Sequence, residues 1–448
     1  MPYDYDVIVI GSGPAGGVVA RQLHSHKKNV AVIDAGPFGG VCPNTGCEPK
    51  KVLVESAAAV ARVRHMSGNG VLGAPTLDWP ALMKFKRSFT EPISELVQDS
   101  LEGSGIATYE GAASFAGPNE IAVGEKTLSA RHIAICTGAR PRHLTFSGAE
   151  RVISSDEFLE LDTLPKRIAF VGSGFIAFEF AHVAATAGSQ VAIFQPRERS
   201  LRQFDIDMVR LLVQSSRNEG ISIYENAPIS TVQRVDDGLE IVANDRAGTR
   251  IVVDCIVNAA GRVPDIEHLA LDKGEIEMKD GGVSVNAYLQ STTNPAVYAA
   301  GDVLAKRPAL TPVAVIEAQT VVENILSGNT SLMRYPPVPS AVFTDPPLAR
   351  VGLNEDEARA KGLPLRVITG RADSWSEYER LGRRFVGYKL LVDSNTNHIY
   401  GAHILGDGAE EVINLLAMAM RHKLTTDDLM NMVFAYPSFG YTIRYMLR

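Results

Sequence analysis

Only four cysteines occur in the 448 residues, and two of them, Cys42 and Cys47, stand in the short segment Gly39-Gly40-Val41-Cys42-Pro43-Asn44-Thr45-Gly46-Cys47. Two thiols this close can store an electron pair as a disulfide and release it as a dithiol. On a regular helix their Cα atoms would be about 8.7 Å apart, from a radius of ~2.3 Å and a rise of ~1.5 Å per residue. A disulfide needs roughly 4.4–6.8 Å. The bond therefore requires a distorted turn, which Pro43, Gly46 and Pro49 help to supply. Cys136 and Cys255 sit in apolar runs, Ile133 to Ile135 and Ile251 to Val257, and read as small buried hydrophobes.

The elements that must position the pair are legible on its N-terminal side. Asp6 to Ile10 is an apolar run of the kind buried on both faces of a parallel sheet. Gly11-Ser12-Gly13-Pro14-Ala15-Gly16 follows, then helical spacing at Val18, Val19 and Leu23, then a second strand from Asn29 to Ile33 ending on Asp34. This strand–GxGxxG–helix–strand–acid unit is a dinucleotide site. Its glycines allow a tight turn against a pyrophosphate, the helix N-terminus stabilises that anion, and the acid accepts from ribose hydroxyls. The unit recurs as Arg167 to Val171, Gly172-Ser173-Gly174-Phe175-Ile176-Ala177, a helix from Phe178 to Ala187, and a strand from Gln190 to Phe194. In the second copy Gln195 occupies the acid's position. Arg197, Arg199 and Arg202 follow it, and guanidinium forks suit a 2′-phosphate, so the expected nicotinamide is NADPH, with NADH the alternative.

Farther along, helices are expected over Lys50 to Met66, near Ala81 to Leu101, and over Ala409 to His422, with Thr426 capping a last short one. Prolines at 336, 337 and 339 mark a boundary. Acidic residues at Glu355, Asp356 and Glu357 read as an exposed helix start, and His403 as packing.

Composition limits the partners. The chain is 45% hydrophobic and 21% charged, with 44 Lys+Arg against 51 Asp+Glu, a formal charge of −7. No basic tract suggests nucleic acid. No apolar run approaches the ~18 residues of a membrane span, and no cleavable leader is expected. So few cysteines argue against a disulfide-stapled secreted scaffold and most metal sites, so no metal site is assigned and the expected location is cytoplasmic.

Taken in order, these motifs resemble the pyridine nucleotide–disulfide oxidoreductases, the glutathione reductase and lipoamide dehydrogenase family, over nearly the whole chain. Further matches are Cys136-Thr137-Gly138-Ala139-Arg140-Pro141, Ala260-Gly261-Arg262 with Pro264, Tyr298-Ala299-Ala300-Gly301-Asp302, Leu310-Thr311-Pro312-Val313-Ala314, Val342 to Pro347 and Gly401 to Gly406. The resemblance implies an α/β fold with two Rossmann-like dinucleotide-binding domains and a C-terminal α+β interface domain. Residues 1–145 and 263–334 would form the FAD domain, 146–262 the NAD(P)H domain and 335–448 the dimerisation domain of a homodimer.

It also implies roles. Gly11, Gly13, Gly16, Asp34, Thr137, Gly138 and Asp302 would hold FAD, with Asp34 on the ribose and Asp302 near the ribityl and phosphate region. Gly172, Gly174, Phe175, Arg197, Arg202, Gly261 and Arg262 complete the cofactor contacts, Phe175 as the aromatic gate over the nicotinamide pocket. Lys50 would lie near flavin N5 and pair with Glu179. Cys47 would be the charge-transfer thiolate facing the flavin, and Cys42 the interchange thiol that attacks a small disulfide or related sulfur substrate.

One departure stands out. The family ends in His-Pro-Thr with a Glu five residues after the His, the general acid/base pair contributed by the partner subunit. Here those positions are Tyr436 and Tyr441, and none of the 10 histidines lies beyond His422. A His titrates near ~6.5 and a Tyr near ~10. The proton path is thus unassigned: Tyr436 either donates a hydrogen bond or a proton, or packs at the interface. Reduction of a quinone or a metal ion, and a redox flavoprotein with little turnover, stand as alternatives to disulfide reduction.

Overall fold

The computed structural model describes residues 3–448. The chain divides into two compact units, one made of residues up to Lys51, Lys84–Arg142 and Arg262–Tyr335, the other of Val52–Met83, His143–Gly261 and Pro336–Arg448.

The first unit is built on a seven-stranded sheet. Tyr5–Ile10 lies at its centre, parallel to Val30–Asp34 on one side and to Lys126–Ile135 on the other, with Val7 opposite Val30 and His132. Ala107–Glu110 extends the sheet beyond Val30–Asp34. Val297–Ala299 pairs in parallel with Ile133 to Ile135, so the chain returns to this sheet after the second unit's long insertion. The strand ends Val7 to Ile10 are buried on both faces, which is why they read as continuous apolar runs. The helices Pro14–Ser25 and Thr311–Ser327 pack against each other.

The second unit repeats the device. Ser222–Tyr224, Gln190–Phe194, Arg167–Val171, Cys255–Asn258 and Ile153–Ser154 form a parallel sheet in that order. A three-stranded antiparallel sheet, Ile229–Val235, Gly238–Ala243 and Arg250–Val253, belongs to the same unit. So does a five-stranded antiparallel sheet in the order Ser340–Val342, Leu348–Gly352, Ile399–Leu405, Gly387–Asp393, Leu365–Arg371. The helix Ala409–Arg421 covers the strands Leu348–Gly352 and Ile399–Leu405 with Val412, Ile413 and Leu416.

Three local expectations change. The helix near Ala81 to Leu101 is two helices, Trp79–Thr90 and Ile93–Gly103, because Pro92 cannot donate to the carbonyl four residues back and its ring clashes there. The helix expected to start at Asp427 starts at Thr426 and is capped by Thr425, whose hydroxyl accepts from the Asp428 N–H in a reciprocal capping box. It is followed by a further short helix, Thr442–Met446. The acidic run at 355–357 is more than a solvated helix start. Glu355 joins Asp205 and Asp207 around the Lys389 ammonium at 2.8, 3.0 and 2.5 Å, and only 2% of that lysine side chain is exposed. A charge so deeply buried needs such partners.

Candidate active site

The first glycine turn is shaped by two close approaches. Gly11 has φ +98°, and a Cβ there would lie 2.3 Å from the Cys136 carbonyl oxygen. A Cβ on Gly16 would lie 1.8 Å from the Gly11 carbonyl oxygen. At Gly13 a Cβ would meet only ordinary contacts, the nearest being Gly40 Cα at 3.8 Å. Gly13 also caps the helix Pro14–Ser25 with no side-chain acceptor, which leaves the first N–H groups available to a phosphate. Asp34 accepts from the Ser12 N–H at 2.6 Å and from the Ser12 hydroxyl at 2.5 Å, which ties the acid to the turn it serves.

Thr137 and Gly138 follow the next strand. The Thr137 hydroxyl is buried without a hydrogen-bond partner, an orphan that a cofactor's polar atom would satisfy. Gly138 has φ +70° with open space where a Cβ would be. Ala139–Pro141 pairs antiparallel with Arg262–Pro264, and Arg262 donates to the Ala139 carbonyl at 2.6 Å. Burial pushes the Asp302 carboxyl up, and the Arg262 charge opposes that. These residues fit a flavin dinucleotide, which Gly13 and the helix end would hold at the pyrophosphate and Asp34 at a ribose, with Thr137 and Asp302 supplying polar contacts.

The second turn mirrors the first. Gly172 has φ +105°, and a Cβ there would lie 2.4 Å from the Ala259 carbonyl oxygen. Gly174 faces open space, and Phe175, at the start of the helix Phe175–Thr186, is 47% exposed. Gln195 is buried. Its amide donates to the Arg199 carbonyl at 2.6 Å and its oxygen accepts from the Arg197 N–H at 3.3 Å, so it shapes the basic turn rather than projecting from it. Arg199 is committed to Asp356 at 3.1 Å and to the Phe204 carbonyl. Arg197 and Arg202 are exposed. Gly261 ends the second unit's last segment of this region, and Arg262 begins the first unit's return.

Glu179 is fully buried in the second unit, where it accepts from the Phe343 N–H at 2.8 Å. Lys50 belongs to the first turn of the helix Cys47–Met66 in the first unit, where its charge acts on Cys47.

The thiol pair lies in the distorted turn that its spacing requires. Cys42 is in the short helix Val41–Thr45, Gly46 breaks the path with φ −132° and ψ −113°, and Cys47 begins the next helix. The Asn44 amide holds this turn by donating to the carbonyls of Gly40 at 2.8 Å and Phe38 at 3.0 Å. Both cysteines are free thiols, and their sulfurs are hydrogen-bonded to each other. Thr311, first residue of the helix Thr311–Ser327, joins them: its hydroxyl donates to Cys42 Sγ at 3.2 Å and lies 3.7 Å from Cys47 Sγ. The hydrogen bond from Cys42 lowers Cys47 to about 6, with Thr311 and Lys50 acting the same way against burial and the Glu48 charge. Cys42 is pushed far up by the same bond and by burial. The pair is thus asymmetric, with Cys47 as the thiolate. Sequence reading placed Thr311 in a motif without a role, because nothing local links it to either cysteine.

The other cysteines are buried thiols, Cys136 raised to about 12 and Cys255 to about 11 by burial. The buried histidines are engaged elsewhere. His182 bonds to Ser216 at 2.9 Å and His403 to the Leu353 carbonyl at 3.0 Å, and burial lowers each to about 4. In the C-terminal segment Tyr436 is 64% exposed and its ring touches that of Tyr441, which in turn meets Tyr445. Among the described residues no helix is long and apolar enough to cross a membrane, and no group of three His, Cys, Asp or Glu side chains is placed to hold a metal ion.

Comparison with known proteins gives this arrangement its context. The family model for pyridine nucleotide-disulphide oxidoreductase matches residues 5–318, and the model for the dimerisation domain of those proteins matches 338–446. A glutathione reductase from a Nostoc species is 31% identical over 456 residues, covering 98% of each chain. A dihydrolipoyl dehydrogenase from Chlamydia pneumoniae is 30% identical, covering 98% of this chain and 95% of that one. Among solved structures, the HOCl-induced flavoprotein disulfide reductase RclA from Escherichia coli superposes with a TM-score of 0.89 at 25% identity over 99% of both chains, and it has also been solved as a Cu(II) complex.

Proposed function

The chain belongs to the class I pyridine nucleotide–disulfide oxidoreductases, flavoprotein enzymes that use a pyridine nucleotide, and from that premise we propose that it uses NADPH to reduce a small-molecule disulfide or related low-molecular-weight sulfur substrate, acting as a homodimer in the reducing cytoplasm. The observation that carries this reading is the bridged, asymmetric pair Cys42–Thr311–Cys47. A quinone acceptor would need neither two thiols nor a difference between them.

FAD, when bound, supplies two-electron exchange between reduced nicotinamide and the Cys42–Cys47 disulfide. The protein's own steps follow from the pair. The Cys47 thiolate takes the Cys42 proton as Cys42 Sγ attacks one substrate sulfur, the substrate S–S bond breaks, and the thiolate that leaves takes that proton from Cys47. The Cys47 thiolate then attacks Cys42 Sγ, the mixed disulfide breaks, and the second thiolate leaves. The dithiol is oxidised, the substrate disulfide is reduced by two electrons, and each leaving thiolate takes up one proton. Cys47 is ionised at neutral pH, so resolution needs no added base. Lys50 and the N-terminus of the helix Thr311–Ser327 favour that charge. In this reading Lys50 would serve the flavin, Phe175 the nicotinamide, and Arg197 and Arg202 the 2′-phosphate.

Protonation of the leaving group is the demanding step. A tyrosine is ordinarily a weaker acid than a histidine, so substrates with low-pKa leaving thiols are favoured. The experiment is anaerobic titration of the holoenzyme with NADPH, followed by a screen of disulfides, polysulfide, quinones and Cu(II). A long-wavelength absorption band after two electrons, with disulfide turnover abolished in Cys42→Ser, is the expected result. Turnover of a quinone or Cu(II) that is faster than any disulfide and survives Cys42→Ser would overturn it.

A further inference from the structure

The interchange sulfur has an ionic neighbour that the mechanism above does not use. Glu48 follows Cys47 directly and stands in the first turn of the helix Cys47–Met66. Its side chain is exposed and has no hydrogen-bond or ion-pair partner among the described residues. Its charge reaches both sulfurs. After Cys47 itself it is the leading ionic influence on Cys42, while at Cys47 the Lys50 cation outweighs it. A carboxylate without a partner keeps its full field for whatever approaches the pair from solvent.

We propose that Glu48 is a specificity-determining residue that favours cationic disulfides over anionic ones at Cys42. The inference rests on the disulfide-reductase reading and names a substrate class for it. A substrate carrying ammonium groups near its S–S bond gains attraction as it approaches Cys42, and one carrying carboxylates meets repulsion. From the residue bonded directly to Cys47, one unit charge changes kcat/KM by roughly three- to tenfold, less at high salt. A neutral disulfide is indifferent.

The test uses the FAD-loaded enzyme with NADPH and three small probes: cystamine, 2-hydroxyethyl disulfide and 3,3′-dithiodipropionate. Glu48→Gln is expected to lower kcat/KM for cystamine and raise it for dithiodipropionate. The preference ratio should change by roughly tenfold or more at low ionic strength, with the neutral probe within twofold. Glu48→Lys should move the ratio further in the same direction, and added salt should shrink both effects. Comparing the same two substrates on each enzyme cancels differences between their leaving thiols. A ratio unchanged within twofold in both variants, or equal losses with all three probes, overturns the inference while the disulfide reading survives. Failure of the wild-type enzyme to reduce any of the three, alongside rapid quinone turnover, overturns the reading and the inference together.

Discussion

Tyr436 and Tyr441 meet edge to face, with ring centroids 4.8 Å apart and planes inclined at 69°. The two positions where the family resemblance places a His and its orienting Glu are therefore coupled through aromatic rings. Such a contact fixes geometry and is worth about 0.5–1.5 kcal/mol beyond burial, but it relays no proton. Tyr441 continues into Tyr445 at 5.2 Å, and Tyr445 into Trp375 at 5.3 Å, so the tail is anchored by a chain of rings.

The first prediction follows from that substitution. Tyr436→Phe keeps the ring contact and removes the hydroxyl. If the hydroxyl assists the leaving thiolate, kcat for alkyl disulfides falls by about tenfold, below the 10²–10⁴ range of a well-matched acid. An aromatic disulfide with a low-pKa leaving thiol should be unaffected. A plot of log kcat against leaving-thiol pKa reads this as a steeper slope, and an unchanged slope assigns Tyr436 to packing.

Thr311 provides a pH prediction. The ordinary thiol range lies near ~8.5, and Cys47 is lowered to about 6. In the two-electron-reduced wild type its alkylation by iodoacetamide should rise as pH passes upward through that value. Thr311→Val removes a hydroxyl whose effect is to lower Cys47, so the transition moves to higher pH. A hydrogen bond to a charged group is worth about 1.5–3 kcal/mol, which sets a limit of roughly one to two pH units. Thr311→Ser should restore the wild-type profile.

The paired glycines separate folding from binding. In Gly11→Ala and Gly172→Ala the new Cβ would press on a backbone carbonyl at 2.3 and 2.4 Å in a left-handed conformation. Each should cost at least about 2 kcal/mol, seen as a lower urea midpoint. Gly174→Ala adds its Cβ to open space at ordinary φ. It should leave the midpoint unchanged and raise KM for NADPH.

The basic turn after Gln195 contains arginines with different work. Arg197→Ala with Arg202→Ala should reduce the NADPH over NADH preference in kcat/KM by about tenfold or more, since the two charges proposed for the 2′-phosphate are lost. Arg199 is tied to Asp356 and the Phe204 carbonyl. Arg199→Ala should instead lower the melting temperature and leave the coenzyme ratio nearly unchanged. A ratio that responds to Arg199 alone would reverse these assignments.

What could be read along the chain was local. Buried parallel strands announce themselves as unbroken apolar runs at Val7 to Ile10 and Ile168 to Val171. The tight turns announce themselves as glycines, because Gly11 and Gly172 lie where a carbonyl leaves no room for a Cβ. Where a local rule failed, a competing local rule was present: Pro92 splits a helix whose apolar spacing runs on, and Thr425 offers a capping box one residue before Thr426.

From the sequence alone came the family, the two dinucleotide units, the redox pair and the replacement of the His-Glu dyad by tyrosines, since each depends on residue types at short, fixed spacing. Tertiary structure alone brought the Thr311 hydroxyl, 264 residues from Cys47 and 269 from Cys42, to both sulfurs. It also decided that Glu179 accepts from the Phe343 N–H, 164 residues away, and that Arg199 is turned toward Asp356, 157 residues away. The reason is physical. Ionisation and hydrogen bonding depend on what the folded chain brings within a few ångströms, and no spacing rule along the sequence encodes which distant segment that will be.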